Sequence, residues 1–258
     1  MNPYETFDTK GRRQRPLKAE QKASLARFLD LAGDYLRDGY TYSQKAYTFT
    51  DDFREPRSVE ADHAALPLRA DSLEALEAEI QHCRDCPLHT HRIKTVPGEG
   101  VARPLVLVIG EGPGADEDTS GRPFVGKAGQ LLDRMLASVD LSRERNCFIA
   151  NVVKCRPPHN RDPLPEEIAA CARFLNRQLA LLKPRMIFCL GRVALQALLH
   201  TDAGIGRARG QLTTYQGFPL LGTYHPSALL RDVSLKRAVW EDLKILRDQL
   251  AALDTREP

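Results

Sequence analysis

The residues with the clearest chemical potential are the cysteines, of which the 258-residue chain has six. Cys83 and Cys86 form a Cys-x-x-Cys pair, whereas Cys155 and Cys171 stand apart, far downstream. Four thiolates can hold either a structural zinc ion or an iron–sulfur cluster. Zinc ribbons usually combine two Cys-x-x-Cys pairs, so the single pair favours a [4Fe–4S] cluster without excluding zinc. Two further cysteines lie in apolar runs and are predicted core residues: Cys147 and Cys189.

A second candidate site is the glycine-rich stretch from Gly110 to Gly129, which follows the apolar run LVLVIG. Its glycines give the loose outlines of a dinucleotide fingerprint and of a P-loop. The P-loop interpretation fails because Pro123 offers no backbone N–H to phosphate and Ala128 has no hydroxyl for magnesium. The dinucleotide interpretation fails because Pro113 interrupts the turn, no clear helix start follows it, and the acid about twenty residues later, Asp133, falls inside a predicted helix.

The composition is that of a globular protein, with 42% hydrophobic residues, 28% charged residues and a net charge of +3. This mild positive charge permits a nucleic-acid partner without requiring one. We find no apolar run long enough to span a membrane and no signal peptide at the N-terminus. We therefore expect a cytoplasmic protein with no membrane partner, in which cysteines bind metal rather than form disulfides.

Strands and helices alternate between residues 100 and 250, which predicts an α/β fold. Helices should cover both faces of a central, mostly parallel four-stranded sheet, which gives a three-layer α/β/α sandwich. In such sheets ligands bind at the carboxyl ends of the strands, where the glycine-rich stretch, Asn151 and His225 fall. The predicted strands are LVLVIG, CFIANVV, MIFCLG and PLLGTYHP.

The chain is predicted to consist of an N-terminal extension at 1–70 and an α/β domain at 71–258. The extension combines a basic tail, a predicted helix at 25–36 and an aromatic, polar segment. We expect an accessory arm, with DNA contact as the alternative. The domain begins with a short helix for which Ser72 and Glu74 are start signals.

Five segments, in this order, resemble the family 4 uracil-DNA glycosylases, the iron–sulfur branch of the uracil-DNA glycosylase superfamily. They are CRDCPLH at 83–89, GEGPGADEDTSGRPFVGKAGQLLDRML at 110–136, NVVKCRPPHNRDP at 151–163, Cys171, and HPSALLR at 225–231. The resemblance covers about residues 72–250. It implies a DNA repair enzyme that flips uracil out of DNA and hydrolyses its N-glycosidic bond, leaving an abasic site. It also implies a structural [4Fe–4S] cluster on four ligands: Cys83, Cys86, Cys155 and Cys171.

The resemblance assigns roles to residues at the predicted ligand edge. Glu111 lies beside the sugar, where its carboxylate orients water and favours a cationic sugar. His225 hydrogen-bonds uracil O2 as negative charge develops there. Asn151 reads the O4/N3 edge, since a side-chain amide both donates and accepts. Phe124 stacks on the flipped base, and the backbone of Gly112 contacts it.

The resemblance also predicts how the protein holds DNA, either single- or double-stranded, as a monomer. The segment PSALLR is expected to form a loop that enters the minor groove. Ser227 is assigned to phosphate, and Leu229 or Leu230 to the gap left by the base. Three arginines are further candidates for phosphate contacts: Arg156, Arg161 and Arg231.

Alternatives to turnover remain open. One relative in the superfamily traps itself covalently on DNA through a histidine in an inserted basic loop, but the matching segment here is short and holds only His159. A chain that binds uracil-DNA without cutting it is a second alternative, and an iron–sulfur redox protein, which needs no base pocket, is a third. Gly114 stands where other uracil glycosylases carry a tyrosine that blocks the methyl group of thymine, so activity on other damaged bases is open.

Overall fold

The computed structural model describes residues 71–254, so the predicted extension at 1–70 lies outside the described residues. Within these residues, helices are interspersed with six strands. In chain order they are α1 (Leu73–His82), a 3-10 turn (Pro87–Thr90), β1 (Glu99–Gly100), β2 (Val106–Gly110), α2 (Ala115–Ser120), α3 (Lys127–Ala137), β3 (Cys147–Asn151), a second 3-10 turn (Pro158–Asn160), α4 (Pro165–Leu182), β4 (Met186–Leu190), α5 (Arg192–Leu199), α6 (Ile205–Ala208), β5 (Leu212–Tyr215), β6 (Phe218–Thr223), α7 (Pro226–Arg231) and α8 (Leu235–Asp254).

The strands form a single sheet in the order β1-β3-β2-β4-β6-β5. The four central strands are parallel and correspond to the four predicted strands, which confirms the predicted centre of the fold. The edge strands β1 and β5 are antiparallel and were not predicted. Neither carries the apolar run that marked the central strands, because β1 is only the dipeptide Glu-Gly and β5 is mostly exposed.

Successive side chains of the central strands point to opposite faces of the sheet and pack into two separate hydrophobic cores. Leu107 and Ile109 of β2 pack under α1, α4 and α5, whereas Val106 and Val108 pack under α3, α7 and α8. This period of two, on a sheet covered on both faces, is the arrangement expected of parallel sheets. The predicted three-layer α/β/α sandwich is therefore confirmed. The two cysteines predicted to be core residues are fully buried, one in each core: Cys147 and Cys189.

The structure corrects two expectations about helix starts. Helix α2 begins at Ala115, where no clear start was expected, because the Glu117 carboxylate accepts the N–H of Gly114 at 3.1 Å and caps the first turn. PSALLR forms helix α7 rather than a loop, with Pro226 in its first turn. The predicted start of α1 is confirmed, since the Ser72 hydroxyl accepts the Ala75 N–H at 3.2 Å. Among the described helices, none combines the length and apolar character that a membrane crossing requires.

Candidate active site

A cleft of about 690 Å³ opens where the parallel strands end, as the fold class predicts. Glu111 follows β2, Asn151 ends β3, Gly191 follows β4, and His225 follows β6, so each central strand delivers one lining residue. The six residues predicted as catalytic or substrate-binding all lie in the lining of this one cleft. They are Glu111, Gly112, Phe124, Asn151, His225 and Ser227.

Asn151 carries an unsatisfied polar atom in this cleft. Its side chain is only 1% exposed, and its Oδ1 is a buried oxygen without a hydrogen-bond partner in residues 71–254. A buried acceptor left unpaired costs about 1–3 kcal/mol, so such atoms are expected where a ligand completes the bond. Gly110 pairs with Asn151 across the sheet and makes room for it, since a Cβ on Gly110 would lie 2.5 Å from Oδ1.

Phe124 is held in a backbone conformation that few side chains adopt, with φ at +53°. Two side chains, Glu117 and Arg143, hold this loop. The Glu117 carboxylate accepts the N–H groups of Val125 and Gly126 at 2.9 and 3.0 Å. The Arg143 guanidinium, 6% exposed, donates to the Phe124 carbonyl at 3.0 Å and to the preceding carbonyl at 2.9 Å. The acids of the glycine-rich stretch therefore include one that braces the ring.

The imidazole of His225 is neutral, and its hydrogen bonds fix which ring nitrogen carries the proton. Its Nδ1 accepts the backbone N–H of Ser227 at 3.2 Å and lies 2.8 Å from the Ser227 hydroxyl. Because a backbone N–H can only donate, Nδ1 is unprotonated and the proton of the neutral ring is on Nε2. Burial lowers the pKa of His225 to about 4, with the Arg231 charge adding to the shift and Glu117 opposing it. The ring centroid lies 5.6 Å from that of Phe124.

The pKa of Glu111 is shifted in the opposite direction from that of His225. Burial raises the pKa of its carboxyl to about 7, with Asp162 adding to the rise and Arg192 opposing it. Asp162 and Arg192 also line the cleft and form an ion pair with one another at 2.5 Å. Sequence reasoning missed this pair, because Arg192 lies outside the five family segments and Asp162, although inside one of them, was assigned no role.

Leu229 and Leu230, the two candidates for filling the gap left by the base, differ in exposure on helix α7. Leu229 is 3% exposed and belongs to a core, whereas Leu230 is 49% exposed. Of the two leucines, only Leu230 therefore has an accessible side chain. The exposed Arg231 at the end of the same helix lines the cleft.

Of the other basic candidates, Arg161 also lines the cleft, whereas Arg156 does not. Arg161 forms a two-pronged ion pair with the buried carboxylate of Glu167, at 2.9 and 2.7 Å, which engages its guanidinium within the protein. Arg156 donates through Nε to Asn160 at 2.7 Å. His159, the residue to watch for covalent trapping, is exposed and is not among the residues that line the cleft.

The four cysteines predicted as ligands line a second, small cavity, beneath α1 and α4: Cys83, Cys86, Cys155 and Cys171. Two N–H donors point at their sulfurs, the Arg92 guanidinium at 3.1 Å from Cys155 Sγ and the Lys154 backbone at 3.3 Å from Cys171 Sγ. Burial raises the pKa of the Cys171 thiol to about 11, and the nearby Lys154 charge lowers it. In the part of the chain that the structure describes, no group of three or more His, Cys, Asp or Glu side chains is arranged to hold a metal ion.

Comparison with known proteins shows the family of the chain. The uracil DNA glycosylase superfamily matches residues 97–244. The type-4 uracil-DNA glycosylase of Archaeoglobus fulgidus is 41% identical over 182 residues, which cover 67% of this chain and 91% of the relative. Those of Pyrobaculum aerophilum and Thermotoga maritima are 44% and 42% identical, and the matches cover 91% and 93% of their lengths and 66% and 68% of this chain. The chain thus belongs to the uracil-DNA glycosylase superfamily and, within it, to the type-4 uracil-DNA glycosylases.

Proposed function

We propose that this protein flips uracil out of DNA and hydrolyses its N-glycosidic bond, which releases uracil and leaves an abasic site. The observation that carries the proposal is the buried, unpaired Oδ1 of Asn151 in a cleft that also holds Glu111 and a neutral His225. A flipped uracil offers this acceptor the N3–H donor that it lacks. Membership of the type-4 glycosylases supports the same conclusion.

Base selection follows from the direction of that hydrogen bond. Uracil presents a donor at N3 and an acceptor at O4, which matches the Oδ1 acceptor and the Nδ2 donor of Asn151. Cytosine presents an acceptor at N3 and a donor at C4, so the same amide orientation is mismatched. Phe124 supplies the apolar surface on which the base stacks, and its braced loop keeps that ring in place.

Bond cleavage develops negative charge on uracil and positive charge on the sugar. The Nε2–H of His225 donates to uracil O2, and a neutral imidazole is sufficient because the bond strengthens as charge develops. Ser227 holds that ring, since its N–H and hydroxyl both meet Nδ1; its predicted phosphate contact stays a prediction. The ionised Glu111 orients the attacking water and favours the cationic sugar.

DNA binding uses the exposed end of α7. Leu230 fills the gap left by the flipped base, and Arg231 contacts a phosphate. Arg161 is a weaker candidate because its guanidinium is engaged with Glu167. Action as a monomer in the cytoplasm, on single- or double-stranded DNA, stays a prediction.

The donors around the small cavity suit an iron–sulfur cluster better than a catalytic metal. Four thiols line it, and the N–H donors and the cationic Arg92 and Lys154 offset thiolate charge. Each thiolate of a [4Fe–4S] cluster binds a different iron atom, so the sulfurs do not have to converge on one ion. We propose that Cys83, Cys86, Cys155 and Cys171 hold such a cluster, which when bound joins the start of the domain to the loop after β3. Excision itself requires no electron transfer.

The test is uracil release from an end-labelled oligonucleotide with one uracil, presented single-stranded and opposite guanine, followed by alkaline cleavage. We expect multiple turnovers by the purified chain and none by Glu111→Gln. A denaturing gel of boiled samples runs alongside. A band that stays shifted after boiling would indicate covalent trapping of the protein on DNA instead of turnover, with His159 as the candidate residue. Binding of uracil-DNA with neither signal would favour the binding-protein alternative.

A further inference from the structure

The loop after β3 contains a lysine that is buried like the apolar residues of the core. Lys154 is 1% exposed and lies between Asn151, in the cleft, and Cys155, in the small cavity. Its Nζ donates to the Asn151 carbonyl at 2.9 Å and to Gln178 Oε1 at 2.6 Å. One ammonium therefore contacts the backbone of the residue that we propose reads the base.

Both hydrogen-bond partners of this ammonium are neutral. Within residues 71–254, no carboxylate forms an ion pair with Lys154. A buried ammonium is costly unless an opposite charge lies nearby. The titratable groups whose negative charge acts on this ammonium are Cys171 and Cys155 of the cavity, and the backbone N–H of Lys154 also contacts the Cys171 sulfur at 3.3 Å.

The same residue is anchored on its other sides. Its carbonyl accepts the Val96 N–H at 2.8 Å. Gln178, the second acceptor of the ammonium, donates onward to the Pro97 carbonyl at 2.8 Å. Lys154 thus joins three parts of the fold: its ammonium contacts the end of β3 and helix α4, and its carbonyl contacts the segment before β1. A shift of Lys154 would move the Asn151 carbonyl and, with it, the amide in the cleft.

We propose that Lys154 is a positioning residue through which the cysteine centre holds Asn151 in register for reading the base. The proposal rests on the proposed function. The cysteine centre is the set of four thiolates that line the small cavity. Its negative charge attracts the Lys154 ammonium, and the ammonium fixes the end of β3 by its hydrogen bond to the Asn151 carbonyl. Selection of uracil over cytosine therefore depends on a charge at the cysteine cavity, away from the base.

The first test compares binding, so that it does not rely on turnover. In a Glu111→Gln background, the full chain is titrated with a duplex carrying one uracil opposite guanine and with the same duplex carrying cytosine. Lys154→Met should keep the visible absorbance of the cluster and lower the uracil-to-cytosine affinity ratio by about tenfold, the scale of losing hydrogen bonds from a charged donor. The matched control is Arg92→Met, which removes another cation from the same cavity. It should lower the uracil-to-cytosine affinity ratio less than Lys154→Met does.

The second test keeps Lys154 and changes its counter-charge. Gln178→Glu places a carboxylate at the 2.6 Å contact with Nζ. Removal of the cluster by an oxidant and a chelator should lower the affinity ratio of the Glu111→Gln protein but leave that of the Glu111→Gln, Gln178→Glu protein largely unchanged. This comparison also carries the test if Lys154→Met does not fold, as judged by circular dichroism.

The outcomes separate the two proposals. A folded, cluster-bearing Lys154→Met with the parental ratio overturns the positioning role, as does an equal loss of affinity for both duplexes. The positioning role is also overturned if removal of the cluster lowers the uracil-to-cytosine affinity ratio equally in the proteins with and without Gln178→Glu. If the unchanged chain releases uracil, such results leave the proposed function standing, whereas a chain without uracil release or preference overturns both.

Discussion

The pH dependence of excision should report the titration of Glu111. Burial raises its pKa to about 7, whereas His225, whose pKa is lowered to about 4, stays neutral over the same range. With a pKa of about 7, the carboxylate is about one-tenth ionised at pH 6, half at pH 7 and about nine-tenths at pH 8. Because the ionised form is the active one, kcat/KM should rise about tenfold per pH unit up to a midpoint near pH 7 and then level off.

The two charged neighbours of Glu111 allow this midpoint to be moved in opposite directions. Arg192→Gln leaves Asp162 unpaired and should raise the midpoint, whereas Asp162→Asn leaves Arg192 unpaired and should lower it. Asp248→Asn is the matched control, since it replaces an exposed acid on α8 that does not line the cleft. The assay is single-turnover uracil release on a single-stranded substrate from pH 5 to pH 9.

Two results would refute this reasoning. A midpoint near 4.5, the ordinary value for a glutamate, would mean that burial does not control this carboxyl. Shifts of the same sign in Arg192→Gln and Asp162→Asn would mean that their charges do not act on it.

Stability supplies an independent check on the same group. A carboxyl whose pKa is raised in the folded state stabilises the fold below its unfolded pKa, near 4.5, and this contribution is lost as pH rises through about 7. Glu111→Gln removes the charged form. We therefore expect its free energy of unfolding to exceed that of the unchanged chain by about 2 kcal/mol at pH 8, after allowance for partial exposure, and to match it at pH 4. Equal stability at pH 8 would contradict the assigned shift.

Four further substitutions test other parts of the site. Leu230→Ala should slow excision from duplex DNA more than from single-stranded DNA with an unchanged melting temperature, whereas Leu229→Ala should cost about 2–4 kcal/mol of unfolding free energy, as chemical denaturation would measure. Arg143→Met leaves two loop carbonyls without their buried donor and should lower stability by about 2 kcal/mol and weaken uracil binding; an unchanged affinity would separate the loop from the base. Asn151→Asp, tested by base release from duplexes with uracil or cytosine, should lose preference for uracil, because a protonated carboxyl can donate to cytosine N3.

The parts of the fold that the sequence predicted are those with a strong local pattern. The apolar runs before Gly110, Asn151 and Gly191 are buried strands, and the carboxyl ends of parallel strands share an edge. That rule alone brought together residues that are distant in the chain. Edge strand β5 was missed because three of its four residues are exposed, so its pairing with β6 depends on the turn between them rather than on hydrophobic periodicity.

The residues that hold the site in place were not predictable in the same way. Arg143 belongs to no motif, and its bonds to the Phe124 loop cross about twenty positions of the chain. Glu117 gave a signal that could have been used, since an acid three residues after Gly114 is a capping pattern, but its bonds beyond the turn depend on how the loop folds back. Lys154 lies inside a recognised segment, yet lysine is a residue expected at the surface.

One physical cause, burial at the strand ends, explains why the two titratable groups of the cleft suit opposite tasks. Removal of water disfavours charge of either sign, so it raises the pKa of Glu111 and lowers that of His225. At neutral pH the imidazole therefore donates as a neutral group, while the carboxyl remains close to its own midpoint. A partly protonated Glu111 repels an incoming phosphate backbone less than a fully ionised one does, but only the ionised form assists bond cleavage. Low pH thus favours binding of DNA and high pH favours cleavage, so the two steps should respond to pH in opposite directions.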